Sequence, residues 1–257
     1  MNKIKIISGW SGPGGGTVAH INLTNLLNEN GYDCTFYGPH DWHLDKCKGD
    51  NINNASLNVH DTVISHFVKI TTGNIKKHIL YCHEKELFPL KEVDVAAYDR
   101  IIYVSNSQRD WHDVDWPSTV IPPVVEKVDW VRPGTGCAGV IGSIDRNKQT
   151  HKAIEAALID DFSKILLFGD VTDMPYFNEK VSPYINSGQA VLAGHEDSQE
   201  RMYGQLDVVY HSSMSETYGL VEAECKLSGI PFIGTRNNRP ILSKEEVLKR
   251  WKKVLNL

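Results

Sequence analysis

Glu216 and Glu224 are two acidic residues whose spacing allows them to act on one ligand. Seven residues separate them, and a strand-like run, Asp207–His211, precedes the pair. If a helix begins near Gly219, Glu216 lies in the loop before it and Glu224 lies within it. The N–H groups at such a helix start attract a diphosphate, and carboxylates accept hydrogen bonds from hydroxyl groups. The pattern is compatible with a ligand that carries phosphates and hydroxyls, but the spacing alone is explained at least as well by an acidic helix start without a ligand.

A basic turn follows another strand-like run, Ala138–Gly142. This run ends in glycine, and Arg146 and Lys148 come before the next helix-like stretch. Their charges could neutralise a diphosphate that becomes a leaving group. A basic surface turn without a ligand would have the same sequence, so both interpretations stay open at this point.

A glycine-rich loop follows the first strand-like run, Ile4–Ser8. Gly14, Gly15 and Gly16 lie near its end, just before a helix-like stretch. Such a loop lets a phosphate or a sugar approach backbone N–H groups. It matches neither the dinucleotide pattern GxGxxG nor the P-loop pattern GxxxxGKS/T, so neither kind of site is predicted. A flexible turn is the alternative.

Two residue groups imitate metal sites. Asp113 and Asp115 form a DxD string, but they lie in a Trp-rich turn and not at the end of a strand. His40, His43 and Cys47 have no second ligand cluster at a suitable spacing. We therefore expect no metal site.

The candidates need a scaffold that brings strand ends together. Short runs rich in Val, Ile, Tyr and Phe alternate with amphipathic stretches, which predicts parallel sheets with helices on both faces. The strand-like runs are Ile4–Ser8, Cys34–Tyr37, Thr62–His66, His78–His83, Ile101–Ser105, Thr119–Pro122, Ala138–Gly142, Lys164–Phe168, Ala190–Ala193, Asp207–His211 and Pro231–Gly234. The helix-like stretches are Val18–Asn30, Lys152–Leu158, Gln199–Gly204, Leu220–Ser228 and Lys244–Leu255.

The alternation of strands and helices runs twice. A segment without clear periodicity, Glu126–Gly136, separates the two sets, and we place a domain boundary there. The prediction is a Rossmann-like domain at residues 1–128 and a second one at 129–257, whose last helix, 244–257, packs on the first domain. Ligands would then bind at the carboxyl ends of the strands.

Composition excludes several classes of protein. The 257 residues carry a net charge of −5, so we expect no nucleic-acid partner. No apolar run approaches the roughly 20 residues that span a bilayer, although peripheral membrane contact stays open. The five cysteines are scattered, which is typical of reduced thiols in a cytoplasmic protein.

The segment from Glu216 to Pro231 resembles the E-x7-E signature of GT-B glycosyltransferases of family 4. The matching positions are Glu216, Tyr218, Gly219, Leu220, Glu224, Gly229 and Pro231. The basic turn also resembles an element of this family in which a strand, a glycine, an arginine and a short loop lead to a lysine. Lys148 stands at the position of that lysine. Ser143 stands where many members carry arginine, and Arg146 would supply the second cation.

The resemblance implies a role for each candidate. Glu216 would position the transferred sugar, and Glu224 would bind the ribose. His83, at the end of a strand-like run, would contact a sugar hydroxyl or orient the acceptor. The loop of Gly14, Gly15 and Gly16 would face donor and acceptor. His195 would contact the base of the nucleotide.

The implied fold is GT-B, an α/β fold with two Rossmann-like domains whose parallel sheets face a central cleft. The implied reaction moves a sugar from a nucleotide-diphosphate sugar to an acceptor hydroxyl, with retention and without a metal or other cofactor. A UDP-sugar or GDP-sugar is the expected donor, and the acceptor could be a glycan, a lipid or a small molecule. A nucleotide-sugar epimerase of the same fold and a non-catalytic nucleotide-sugar-binding protein are the alternatives.

Overall fold

The computed structural model describes residues 3–66, 68, 75–84 and 95–257. The chain divides into two compact units, one made of Met1–Val125 with Pro240–Leu257 and the other of Glu126–Arg239. Each unit has its own parallel sheet, so the predicted α/β class with two parallel sheets is confirmed. The division falls after Val125, whereas the sequence analysis placed it after residue 128. The last helix belongs to the first unit.

The elements are numbered here in chain order. The strands are β1 (Ile4–Ser8), β2 (Cys34–Gly38), β3 (Gly49–Asn51), β4 (Thr62–His66), β5 (Lys77–Cys82), β6 (Arg100–Tyr103), β7 (Ser118–Val120), β8 (Cys137–Ile141), β9 (Lys164–Phe168), β10 (Ala190–Gly194), β11 (Val208–His211) and β12 (Phe232–Gly234). The α-helices are α1 (Gly15–Glu29), α2 (Asn106–His112), α3 (Thr150–Ile159), α4 (Met174–Tyr176), α5 (Ser182–Asn186), α6 (Gln199–Tyr203), α7 (Leu220–Ser228) and α8 (Lys244–Leu255). A π-helical turn, Phe177–Val181, joins α4 to α5.

The sheet of the first unit has the strand order β3-β2-β1-β4-β5-β6-β7, with all neighbours parallel. Its central strands β1 and β4 are buried along their whole length, as strands covered on both faces are. Ile6 lies between Phe36 and Ile64 in register. The chain builds one side of the sheet first and then returns to add β4 beside β1.

Two helices cover the apolar centre of the first unit. Helix α1 buries Leu23, Leu26 and Leu27. Helix α8 is amphipathic and buries Trp251, whose ring meets that of Tyr81 edge-on at 5.2 Å between centroids. Acidic residues in the first turn of α8 and lysines in the last complement the helix dipole. The last helix is therefore anchored to the first unit by a large aromatic side chain.

The second unit has the strand order β10-β9-β8-β11-β12, again all parallel. Two apolar clusters lie on its two faces. One contains Ala153 of α3 together with Val181, and the other contains Tyr203 of α6 and Cys225 of α7. Because helices cover both faces of this sheet, its edge at the carboxyl ends of the strands is available for ligands.

The strand order reverses once in each sheet, between β1 and β4 and between β8 and β11. At such a point the two following loops run to opposite faces and leave a crevice, which is where open α/β sheets bind ligands. Ser8 and His66 end the strands at the first reversal, and Ile141 and His211 end them at the second.

The predicted strands and helices are all present, with β1, β4, β9, α7 and α8 at the predicted bounds. Three parts of the fold had no clear sequence signal. Strand β3 consists of Gly49-Asp-Asn, which are poor strand formers. Helix α2 has only seven residues, and the helical stretch 174–186 is interrupted by prolines and a π-helical turn.

None of the helices described is both long and apolar enough to cross a membrane. All five cysteines are free thiols, and four of them are buried.

Trp251→Ala should destabilise the first unit by about 3–5 kcal/mol, because it leaves a cavity beneath α8. Urea unfolding followed by circular dichroism measures the change. Trp111→Ala is the matched control, since Trp111 is 43% exposed and its loss should cost much less. Equal losses for the two variants would contradict the anchoring role of Trp251.

Candidate functional site

The carboxylate of Glu216 is the meeting point of two loops in the second unit. Its Oε1 atom forms an ion pair with the Lys148 ammonium, which comes from the loop after β8. The same oxygen lies 3.2 Å from Nε2 of His211, the last residue of β11. The structure thus brings the predicted residues Glu216 and Lys148 into direct contact.

The two loops are also joined through Asn147. Its side-chain amide donates to the carbonyl oxygen of Ser215 at 3.0 Å and to the hydroxyl of Ser213 at 3.3 Å. The backbone carbonyl oxygen of Asn147 accepts a hydrogen bond from the Met214 N–H at 2.8 Å. These bonds hold the β8–α3 loop and the β11–α7 loop in one arrangement, which fixes the position of Glu216.

Glu216 is ionised at physiological pH. Burial would raise its pKa, but the hydrogen bond with His211 and the charge of Lys148 outweigh burial and lower the pKa to about 2. The side chain is only 12% exposed, so the ion pair is weakly screened by solvent. Glu216 is therefore an acceptor of hydrogen bonds and not a proton donor.

Helix α7 starts directly after Tyr218 and Gly219. Gly219 is the N-cap in the left-handed region, with φ of 86°, and a Cβ there would lie 2.9 Å from the Asn237 amide nitrogen. Glycine avoids both the strain and the clash. Leu220 is the first helical residue, and the first N–H groups of the helix have no partner within it. Tyr218 is buried, which raises its pKa to about 12.

The segment after β12 closes the other side of this region. Arg239 donates from its guanidinium to the carbonyl oxygen of Glu216 at 2.6 Å. Glu222 accepts from the backbone N–H groups of Asn237 and Asn238 at 2.7 and 3.2 Å. Glu222, an acid between the two glutamates of the motif, therefore holds the loop that carries Arg239. Arg239 and His211 were not among the sequence candidates, although His211 ends a predicted strand beside the motif.

Glu224 lies within α7 and is almost completely buried. Its two oxygens accept hydrogen bonds from the Tyr203 hydroxyl at 2.5 Å and the Gln199 amide at 2.8 Å. Burial raises the pKa of Glu224 to about 7, and these two hydrogen bonds only partly offset the rise. Both partners are on α6, so Glu224 also joins α7 to α6.

Two other sequence candidates lie apart from Glu216. Arg146 is 66% exposed and forms an ion pair with Asp173 at 3.2 Å, on the side of the loop that follows β9. Ser143 donates to Asp145 at 2.6 Å. His195 follows β10 and lies 3.1 Å from Asp197 at the surface. The carboxylate of Glu216 contacts Lys148 and His211, and Arg239 donates to the backbone carbonyl of Glu216.

Three histidines form a buried cluster at the carboxyl edge of the first sheet. The rings of His66 and His83 each lie 4.8 Å from that of His20. Burial, together with the neighbouring histidines, lowers the pKa of His20 and of His83 well below the usual value, so both rings are neutral. Within the described residues, neither ring nitrogen of His20 has a hydrogen-bond partner, nor has His83 Nε2. A hydrogen bond from His83 Nε2 to a sugar, as predicted, would therefore be formed by a buried nitrogen atom.

His66 joins Ser8 to Glu84 through its two ring nitrogens. Ser8 Oγ lies 2.6 Å from the Trp10 carbonyl, to which it must donate, so His66 Nδ1 at 2.8 Å donates to Ser8. His66 Nε2 lies 2.8 Å from a carboxylate oxygen of Glu84, and this contact also needs a proton. Ser8, His66 and Glu84 therefore form one hydrogen-bonded chain. Ser8 itself is fully buried and acts as a support, not as a nucleophile.

The glycine-rich loop leads into α1 next to this cluster. Gly14 is the N-cap of α1 with φ of 151°, and the space around its missing side chain is open to 4 Å. Gly15 begins the helix. A Cβ on Gly16 would lie 3.7 Å from both His66 and Glu84. The predicted loop and His83 are therefore close neighbours within the first unit.

Among the described residues, no group of three His, Cys, Asp or Glu side chains could hold a metal ion. Asp113 of the DxD string is the left-handed C-cap of α2. The ring nitrogens of His43 contact the carbonyl oxygens of His40 and Asp50 at 2.8 and 3.2 Å. These side chains have structural roles.

Several solved structures resemble the chain. HepE of Anabaena (Alr3699), crystallised with UDP and glucose, has a TM-score of 0.69 and 14% identity, over 91% of this chain and 80% of its own. AviGT4, a glycosyltransferase involved in avilamycin A biosynthesis, has a TM-score of 0.64 and 18% identity, over 91% and 79%. The lipopolysaccharide outer core galactosyltransferase WaaB, in its apo form, has 0.55 and 13%, over 99% and 90%.

The chain therefore has the α/β GT-B fold of these glycosyltransferases, and the predicted fold is confirmed. No family model matches the chain, and no curated protein matches it at a significant level.

Glu224→Gln should make the protein more stable at pH 8, by at most about 3 kcal/mol, and should have a smaller effect at pH 5. The native pKa is raised, so the native state keeps a proton that the unfolded state loses between the two pKa values. Stability contributed by Glu224 is thus lost as pH rises toward 7. Urea unfolding at both pH values measures this, with the exposed Glu179→Gln as control. A difference that is the same at pH 5 and pH 8 would contradict the raised pKa.

Proposed function

We propose that the second unit binds a nucleotide-diphosphate sugar and that the protein transfers the sugar to an acceptor hydroxyl. The observation that carries the proposal is the ionised Glu216 carboxylate, held by Lys148 and His211 beside the start of α7. The fold adds support, because HepE was crystallised with UDP and glucose and also with UDP-glucose. Kinship with family 4 is part of the proposal and rests on the E-x7-E segment.

The diphosphate would lie at the N-terminus of α7. The first N–H groups of the helix point at this position, and Gly219 lets a phosphate come close to the backbone. Lys148 would exchange Glu216 for phosphate oxygens. The carboxylate of Glu216 would then accept hydrogen bonds from the sugar hydroxyls, a role for which its low pKa suits it.

The ribose would bind at Glu224. Each carboxylate oxygen has two lone pairs, so hydroxyl groups can bond there beside the Tyr203 hydroxyl. Gln199 is the partner that can give way, since it is only half-buried at the start of α6, whereas Tyr203 is fully buried. The backbone after Gly194, at His195, would contact the base.

Transfer would form a bond from the acceptor oxygen to the anomeric carbon while the bond from that carbon to the diphosphate breaks. The diphosphate leaves with the electron pair and takes up the hydroxyl proton. Lys148 and the N–H groups of α7 would stabilise the leaving group, with Arg239, which is held beside Glu216, as the second cation. We propose that this works without a metal or other cofactor, and with retention of configuration.

The carboxyl edge of the first unit would bind the acceptor. Its glycine-rich loop leaves open space at Gly14, and the His66–Glu84 pair places an imidazole and a carboxylate beside that loop. His83 lies against this pair and would shape the same pocket. The chemical class of the acceptor, whether glycan, lipid or small molecule, follows from the screen below.

The test is a thermal-shift screen of the full chain with UDP-, GDP-, ADP- and TDP-sugars, followed by product analysis with candidate acceptors. A UDP-sugar or GDP-sugar should raise the melting temperature, since a ligand of the native state stabilises it. Release of the nucleoside diphosphate together with a new glycoside supports transfer. Formation of an epimer would point to an epimerase, and binding without consumption would point to a binding protein.

Glu216→Gln should lower turnover of the donor identified in that screen by about 10- to 100-fold, because a charged hydrogen bond to the sugar is lost. Donor affinity should change much less. Release of nucleoside diphosphate measures turnover, and calorimetry measures affinity. Glu200→Gln, an exposed acid on α6, serves as control. Wild-type turnover in Glu216→Gln would remove Glu216 from the site.

A further inference from the structure

A basic cavity lies at the edge of the first sheet opposite to the histidine cluster. It has a volume of about 440 Å³ and lies between the starts of β5 and β6 and the end of α8. The lining residues are Lys77, Arg100, Thr119, Val120, Arg250, Lys253, Val254 and Asn256. Four of these eight side chains are cationic and none is acidic, in a chain whose net charge is −5.

The register of the sheet places three of these residues on one face. Arg100 pairs with Ile79, two residues after Lys77, and Thr119 pairs with Ile102, two residues after Arg100. Alternate residues of a strand share a face, so Lys77, Arg100 and Thr119 point the same way. Tyr81 is on that face too, where it meets Trp251 of α8. The helix therefore covers the sheet next to these cations.

Helix α8 adds the other two cations from its last turns. Arg250 and Lys253 are three positions apart, which places them on one side of the helix. Trp251 is buried against the sheet and holds the helix in place, so this side is presented at a fixed position. The cavity thus collects charge from two separate parts of the chain.

The cations have spare hydrogen-bonding capacity. Arg100 donates to Thr119 Oγ1 at 2.8 Å and to the Ser118 carbonyl at 3.2 Å, but a guanidinium has five N–H donors. Lys77 donates to the Val254 carbonyl at 2.6 Å and to the side-chain oxygen of Asn256 at 3.1 Å, and it has one further proton. Lys253 Nζ has no partner among the described residues. The existing bonds orient these groups without using all of their donors.

The charge of the cavity is only partly balanced by nearby acids. Glu246 contacts Arg250 at 3.1 Å from outside the cavity. Asp99 acts on Lys77, but burial is the stronger influence and lowers the pKa of Lys77, with Arg100 acting in the same direction. A lysine whose pKa falls among cations gains from an added anion.

We propose that this cavity binds a phosphate-bearing anion, either a soluble phosphate compound or the phosphate headgroup of a lipid. The guanidinium groups of Arg100 and Arg250 can each form two parallel hydrogen bonds to phosphate oxygens. A single carboxylate has too few oxygens to satisfy both groups in this way. The volume is in the range of small-molecule sites and exceeds the needs of one free phosphate. Val120 and Val254 offer an apolar wall for the carbon part of an ester.

Binding would join β5 and β6 to α8 through one ligand. Since the anion contacts both parts, it should stabilise the docked position of the last helix. This site is independent of the proposed donor site, which involves residues of the second unit.

The experiment is a calorimetric titration of the full chain with inorganic pyrophosphate. Lys253→Glu and Arg250→Gln should bind pyrophosphate at least tenfold more weakly than the wild type. Lys249→Glu is the matched control, because Lys249 lies on the same helix, is 81% exposed and does not line the cavity. All of these variants are also titrated in a Lys148→Gln background, so that the proposed donor site does not contribute, and the loss caused by Lys253→Glu should persist there. Lys253→Glu removes an exposed side chain and should fold normally, which circular dichroism checks.

Vesicles distinguish the source of the phosphate. Vesicles of phosphatidylcholine with and without phosphatidylglycerol are sedimented with each variant. Binding of pyrophosphate alone supports a soluble ligand, and binding of phosphatidylglycerol vesicles that Lys253→Glu abolishes and Lys249→Glu does not supports a headgroup. Wild-type affinity in Lys253→Glu, an equal loss in Lys249→Glu, equally tight binding of malonate, or binding of neither probe would overturn the proposal.

Discussion

The buried carboxylate of Glu216 needs a counter-charge, and this need organises the carboxyl edge of the second sheet. Taking a carboxylate out of water is costly unless it is paired and hydrogen-bonded. Lys148 and His211 meet the requirement, and they come from the loop after β8 and the end of β11, the two strands between which the strand order reverses. The two loops of the proposed donor site are therefore held together by the same ion pair that a donor phosphate would have to open.

Two glutamates of one motif have opposite electrostatic states because their partners differ. Glu216 has a cation beside it and a pKa of about 2, whereas the partners of Glu224 among the described residues are neutral and its pKa is about 7. The first is suited to hold sugar hydroxyls as a permanent carboxylate. In the proposed complex, Glu224 would lose its proton and become a carboxylate when ribose hydroxyls replace the Gln199 amide as hydrogen-bond donors. Burial acts on both residues in the same direction, so the neighbouring groups decide the outcome.

Local patterns in the sequence predicted the scaffold and the motif but not the partners. Buried parallel strands such as β1 and β9 are apolar runs with clear ends, and α7 has glycines at both ends, so their bounds could be predicted. The Ser8–His66–Glu84 chain could not, because its members are joined only by strand order. The ion pair between Arg146 and Asp173 could not be predicted either, because the two residues lie in different loops that only the strand order brings together.

Hydrogen–deuterium exchange with and without UDP tests the account most directly. If the start of α7 and the turn after β8 bind the diphosphate, UDP should slow exchange in residues 142–149 and 216–224 of the second unit. The account predicts protection of both segments, with little change around His60 in the first unit. Saturating UDP that protects neither segment, or protects only segments elsewhere, would contradict it.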